Sequence, residues 1–294
     1  MQVPTSKWYY FILALPIYIL AILPFPILYG LSNVLSFIAF HIIKYRKKVV
    51  FDNLRSAFPQ KSNPEITTIA KAYYRNMIDV FLETFKTLVL TEKNLTKRVT
   101  VHQTEPITEL HKQGVSVILL LGHLGNWEWG GFSYTYNLNF KVGTLYHPLS
   151  NPFFEWITFK LRSKCGVELI PMQQAARNFL QNKNVVRTVA FIADQSPTPE
   201  SAYWTNFLNQ DTGFFIGAEK LAVKYNMAVF YADVIKPKRG YYQIYFKPLA
   251  ENPAAFHTHA ITEKFVQELE QSIIKKPTLW LWSHRRWKHK RPQN

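Results

Sequence analysis

The sequence predicts an α/β protein, a mixed and mostly parallel sheet flanked by helices, with an N-terminal membrane-anchoring helix. Three observations predict it. Short apolar runs alternate with stretches of helical periodicity through the second half of the chain, as strand and helix units do in α/β folds. One such run, Val115 to Leu121, passes directly into Gly122-His123-Leu124-Gly125-Asn126-Trp127-Glu128. Finally, Trp8 to Ile43 contains no Asp, Glu, Lys or Arg.

Trp8 to Leu31 is almost wholly apolar, with Trp8, Tyr9 and Tyr10 at its edge. A helical crossing needs roughly 20 apolar residues, so the stretch is long enough for one and short for two. Pro16, Pro24 and Pro26 kink it, and both a kinked single span and a helix pair dipping into one leaflet fit. It is too long for the apolar part of a signal peptide, no small-residue cleavage site follows, and it is expected to stay on the protein. Lys44, Arg46, Lys47 and Lys48 come next. Their density places the following chain in the cytoplasm and attracts anionic headgroups. The expected division is an anchor, 1–43, and an α/β domain, 44–294.

Ile66 to Leu90 has helical periodicity, with Tyr73, Met77, Val80 and Phe81 on one side, expected to pack on the sheet. Expected strands are Val115 to Leu121, Lys141 to Tyr146, Val167 to Ile170, Thr188 to Ala193, Met227 to Ile235 and Tyr241 to Phe246. Expected helices near Phe153 to Lys164, Gln173 to Asn182, Phe214 to Tyr225 and Ala260 to Lys275 lie between and after them. In such sheets ligands sit beyond the carboxyl ends of strands. His123 and Asp194 both fall there.

The His123–Glu128 spacing carries chemistry only off a continuous helix, where five residues would rotate the two side chains roughly 140° apart. His123 is therefore expected on the strand-to-helix loop and Glu128 in the first helical turn, where the helix dipole favours a carboxylate. Gly125 permits the tight backbone and Asn126 caps the helix. So placed, Glu128 orients His123 as a general base.

With 294 residues, 48% of them hydrophobic, the chain can bury a full core. Its 35 Lys and Arg against 19 Asp and Glu give a formal charge of +16, which calls for an anionic partner. The single cysteine, Cys165, excludes an internal disulfide and a Cys-based metal cluster, and reads as a small hydrophobic side chain. No metal is expected at His123 and Glu128, which lack further ligands at recognisable spacing. The terminal block, with Arg285, Arg286, Lys288, Lys290 and Arg291 among Trp280, Trp282 and Trp287, suits a membrane interface or single-stranded nucleic acid. The apolar anchor argues against nucleic acid. A non-catalytic protein binding a membrane surface remains the other class of reading.

Five blocks in this order resemble the late acyltransferases of lipid A biosynthesis, the lauroyl/myristoyl family related to the glycerol phosphate acyltransferases. They are Asn53-Leu54-Arg55 with Phe58-Pro59, Gly122-His123 through Glu128, Asn151-Pro152 with Arg162, Asp194-Gln195, and Leu279-Trp280-Leu281-Trp282-Ser283-His284-Arg285-Arg286-Trp287-Lys288. Glu128 in place of aspartate favours the lipid A branch. The resemblance implies acyl transfer from acyl carrier protein to a hydroxyl of a membrane lipid, a lipid A precursor or another hydroxyacyl lipid, with the acyl thioester as substrate and no cofactor. His123 and Glu128 are then the catalytic candidates. Arg162, Asp194, Asn126, Gly125, Arg285 and Arg286 are the substrate-binding candidates, with amides near Gly125 or the Arg162 guanidinium as oxyanion donors and Asp194 as an anchor for Arg162 or a structural cap.

Overall fold

The computed structural model describes residues 6–138, 140–164 and 166–292, so Cys165 lies outside the described residues. The chain begins with α1 (Trp8–Ile22) and α2 (Phe25–Phe37), the latter continued by a π-helical turn, Ile38–Ile42. α3 (Lys47–Ala57), α4 (Asn63–Lys86), α5 (Glu92–Thr96), β1 (Val99–His102) and α6 (Glu105–Lys112) lead into β2 (Val117–Leu121). Then come α7 (Trp127–Asn137), β3 (Val142–Tyr146), α8 (Pro152–Ser163), β4 (Glu168–Pro171), α9 (Ala175–Gln181) and β5 (Thr188–Ile192). The last elements are β6 (Ala202–Phe207), β7 (Gln210–Phe215), α10 (Gly217–Tyr225), β8 (Ala228–Lys238), β9 (Tyr241–Ala250) and α11 (Ala260–Lys275).

Seven strands form one sheet in the order β1-β9-β8-β2-β5-β3-β4. Neighbours run parallel except β8 and β9, which are antiparallel. This is the mixed, mostly parallel α/β architecture expected, and β2, fully buried from Val117 to Leu121, lies in its interior. β1 was not expected: four residues pairing with β9 alone are too short to show a period. The β6–β7 hairpin was not expected either. It turns at Leu208 and Asn209, both at positive φ (51° and 62°), as a two-residue hairpin turn requires. Phe214 and Phe215, read as the start of a helix, complete β7, and α10 begins at Gly217.

The three prolines, all expected to kink the segment, are placed differently. Pro16 sits inside α1, while the chain breaks at Leu23–Pro24 and Pro26 enters the first turn of α2. Lys86 fills the break, its Nζ donating to the carbonyls of Ala21 at 2.7 Å and Leu23 at 2.6 Å. Those carbonyls have no partner within a helix end. α4 packs mainly on α1, α2, α3 and the Pro277–Leu279 turn. This corrects its expected role against the sheet: Tyr73 and Val80 are buried, but Phe81 is 57% exposed. α1 also leans on α8, with Tyr10 against Trp156 at 5.6 Å between ring centroids. Ala39 and Phe40 belong to the same core as the sheet.

Candidate active site

In the β2–β5 pair Val117 faces Thr188 and Leu121 faces Ile192, a constant offset of 71 positions. Extending that register by two residues beyond each strand brings His123 and Asp194 side by side. The His123 amide donates to Asp194 Oδ2 at 2.7 Å, and its Nδ1 lies 2.6 Å from Oδ1. Trp280 Nε1 donates to the same Oδ2 at 2.8 Å. Burial alone would raise the Asp194 carboxyl. The charge of His123, its two hydrogen bonds and the Trp280 indole outweigh that and hold it at about 2. An ionised Asp194 keeps the ring hydrogen on Nδ1 and leaves Nε2 as the basic nitrogen. Gly122 is required here by close approach, because a Cβ would lie 2.5 Å from Leu269 Cδ1 and 3.2 Å from Asp194 Oδ2.

The expected orienting partner of His123 was Glu128, and the geometry corrects this. Glu128 stands in the first turn of α7 as expected, but it takes both arms of Arg162, Nε at 3.0 Å and Nη2 at 2.5 Å. Burial would raise its carboxyl, yet Arg162 and, more weakly, His123 pull it below the usual range. Asp194 likewise does not anchor Arg162, whose fork is filled by Glu128. Glu128 therefore acts on the imidazole through space, as a fixed negative charge. The reason is topological: β2 and β5 are neighbours, so a residue 71 positions away reaches Nδ1 before one five positions away can fold back.

Gly125 and Asn126 are engaged within the protein itself. Gly125 adopts φ +55°, and a Cβ there would meet Val234 Cγ1 at 3.0 Å and Tyr242 Cε1 at 3.3 Å, so only glycine fits. Its amide, a candidate oxyanion donor, is taken by the Leu279 carbonyl at 3.1 Å. Asn126 caps α7 as expected, Oδ1 accepting from the Trp129 amide at 2.9 Å, but it is fully buried and its Nδ2 donates inward to Glu83 at 2.8 Å. The second ring nitrogen faces Gln195, whose Nε2 lies 3.4 Å from His123 Nε2. Gln195 stood in the Asp194-Gln195 block but carried no role there. Among the described residues, no group of three or more His, Cys, Asp or Glu is placed to hold a metal ion.

Comparison with known proteins matches residues 3–289 to the family described as bacterial lipid A biosynthesis acyltransferase. The chain belongs to this family. It is 21% identical over 268 residues to the lipid A biosynthesis lauroyltransferase of Escherichia coli (strain K12), covering 90% of this chain and 87% of that protein. It is 22% identical over 274 residues to the lipid A biosynthesis palmitoleoyltransferase of the same organism, with 90% and 86% covered. The lipid A biosynthesis acyltransferase of Shigella flexneri gives the same identity and coverage, 22%, 90% and 86%.

In this acyltransferase part of the terminal block frames the site: Trp280, Trp282 and Arg286 face inward, which corrects the surface placement of Arg286 alone. Trp280 and Trp282 are 2% and 0% exposed. Each indole N–H has an internal acceptor: Trp280 on Asp194, Trp282 on the Pro277 carbonyl, and Trp287 on Thr212 Oγ1. Leu124 and Trp280 form an antiparallel bridge, and Asn53 Nδ2 donates to the carbonyls of Trp282 and His284, both at 2.9 Å. Arg286, expected on the surface, is 3% exposed; it donates to the Gly213 carbonyl at 2.6 Å and lies over the Phe214 ring. Burial lowers its guanidinium to about 10. Arg285, Lys288 and Lys290 remain exposed.

Proposed function

We propose that this acyltransferase moves a fatty acyl group from acyl carrier protein to a hydroxyl of a lipid A precursor or similar hydroxyacyl lipid, at the cytoplasmic face of the inner membrane. The observation that carries the reading is the His123–Asp194 pair, with Nδ1 held by a buried carboxylate and Nε2 left beside Gln195. Nε2 takes the proton of the lipid hydroxyl as its oxygen attacks the thioester carbonyl. Gln195 Nε2 is the donor positioned for the resulting oxyanion. Collapse of that intermediate breaks the carbon–sulfur bond, and the departing thiolate recovers the proton from Nε2. Glu128, fixed by Arg162, stabilises the transient imidazolium. The relatives' names, lauroyltransferase and palmitoleoyltransferase of lipid A biosynthesis, support a fatty acyl donor and this class of acceptor. The test is mass spectrometry of total lipids from cells with and without the gene. Loss of one fatty acyl mass from a hydroxyacyl lipid is expected, and an unchanged lipid profile would overturn the proposal.

Residues 1–43 serve as the anchor and 44–294 as the catalytic part. Phe25–Ile42 is an 18-residue helix apolar enough to cross a membrane by length and composition, while α1 has only 15 residues. Two contacts favour a pair lying in one leaflet over a free span. Tyr29 donates to Glu83 at 2.8 Å and Ser32 to Asp79 at 2.6 Å, so one side of α2 is fastened to charged groups that hydrocarbon would not solvate. The outer sides expose Trp8, Ile12 and Ile22 on α1 and Ile27 and Phe37 on α2, each more than half accessible. Lys44, Arg46 and Lys48 follow at the surface, and the Arg46 bond to the Ser283 carbonyl at 3.1 Å brings this cluster toward Arg285. Full-length protein is expected to stay with membranes through a high-salt wash and to need detergent for release. Replacing Ile12, Ile19, Ile27 and Phe37 together by Gln should leave electrostatic attachment alone, which salt screens within a Debye length of about 8 Å. That variant should be released by salt; a wild type soluble without detergent would remove the anchor.

A further inference from the structure

We propose that Glu83 is a positioning residue for acyl transfer, its buried carboxylate holding the His123–Glu128 turn in place through Asn126. The inference rests on the acyl-transfer reading above. Glu83 lies on α4 and is fully buried. Its Oε2 accepts from Asn126 Nδ2 at 2.8 Å and from the Tyr242 hydroxyl at 2.7 Å, and its Oε1 from the Tyr29 hydroxyl at 2.8 Å. Its own carbonyl accepts Trp129 Nε1 at 3.0 Å. The nearby cations Lys236 and Arg239 are paired with Asp79. The direct partners of the Glu83 carboxyl are three neutral donors, and burial pushes its pKa up.

The reason for such a group follows from Asn126. Its Oδ1 already caps α7 on the Trp129 amide, so its NH2 must face inward and needs an acceptor. The Glu83 carboxyl oxygen is that acceptor, and it fixes which way the amide points. If the amide flips, the cap on α7 is lost, and with it the placement of Glu128 in the first turn. Tyr242, held by the same oxygen, closes on Gly125, where a Cβ would lie 3.3 Å from its ring. Glu83 touches the turn that carries both catalytic candidates from behind, without reaching substrate.

The test is a pair of substitutions at Glu83 in the full-length enzyme, reading kcat and KM for acceptor lipid with an acyl thioester donor, together with Tm. Glu83→Leu removes the acceptor that Asn126, Tyr242 and Tyr29 share. Glu83→Gln keeps it, because the amide oxygen accepts from Asn126 and Tyr242 while the NH2 donates to the Tyr29 hydroxyl. A misplacement near 1 Å costs rate of the order of 10²-fold. Glu83→Leu is therefore expected to lose about 10- to 100-fold in kcat with KM within about twofold, and Glu83→Gln to stay within about fivefold of wild type. A fully active Glu83→Leu overturns the positioning role. So does a folded Glu83→Gln that loses 10-fold or more in kcat, and this arm decides the matter even where Glu83→Leu unfolds. Absence of acyl transfer by the wild type overturns the acyl-transfer reading itself, which separates the two failures.

Discussion

His123→Ala is expected to lower kcat for acyl transfer by about 10²–10⁴-fold, the range that a positioned general base supplies. A lipid hydroxyl is a weak nucleophile at neutral pH, and Nε2 of His123 is the ring nitrogen that Asp194 does not hold. Stability should change little, because His123 stands beyond the end of β2 with its side chain 15% accessible. Its loss does, however, strand the Asp194 carboxylate, so Tm must be measured beside the rate. The decisive comparison is turnover of purified lipid with an acyl thioester by wild type and variant at equal folded concentration. Near-normal turnover by His123→Ala would remove the mechanism.

Asp194→Asn is expected to act almost as strongly, by about 10²–10⁴-fold in kcat. Asparagine keeps the volume but offers an NH2 group where a carboxylate accepted from the His123 amide, the His123 ring and Trp280. At least one buried donor is then left facing another, and the imidazole loses the acceptor that sets its tautomer; the corresponding change in a serine protease, a known case, costs about 10⁴. Glu128→Gln should cost less than Asp194→Asn, since Glu128 reaches the ring only through space. The reverse order in measured kcat would return the orienting role to Glu128. A stability effect accompanies the rate effect. The folded carboxyl is held at about 2 against 3.8 for the free group, so it contributes stability above pH 3.8 that is lost as pH falls through 2. Thermal unfolding of Asp194→Asn should therefore approach that of wild type as pH drops through this window.

The site was legible in part from local features alone. The apolar run before Gly122, the glycine at 125 and Asn126 three residues before Trp129 fix a strand, a tight turn and a capped helix from adjacent residues. His123 on the loop and Glu128 in the first turn follow from that. The β6–β7 hairpin escaped because its turn residues, Leu208 and Asn209, include no glycine to announce positive φ. Phe81 was misplaced because helical periodicity shows which residues share a side, not what covers it.

By itself the sequence determined the α/β class, the apolar, proline-containing N-terminal segment, and the place of the base beyond the end of β2, since each is encoded within a few turns of chain. Only the tertiary structure decided which carboxylate holds the base, because that depends on β2 and β5 being neighbours across 71 positions, a pairing no local pattern states. It also decided that Trp280, Trp282 and Arg286 of the terminal block face inward. Their composition suits a membrane surface equally well, and what turned them was the set of buried acceptors that the rest of the chain presents: Asp194, the Pro277 and Gly213 carbonyls, and Thr212. An indole or guanidinium pairs with whichever acceptor the fold brings within 3 Å of it.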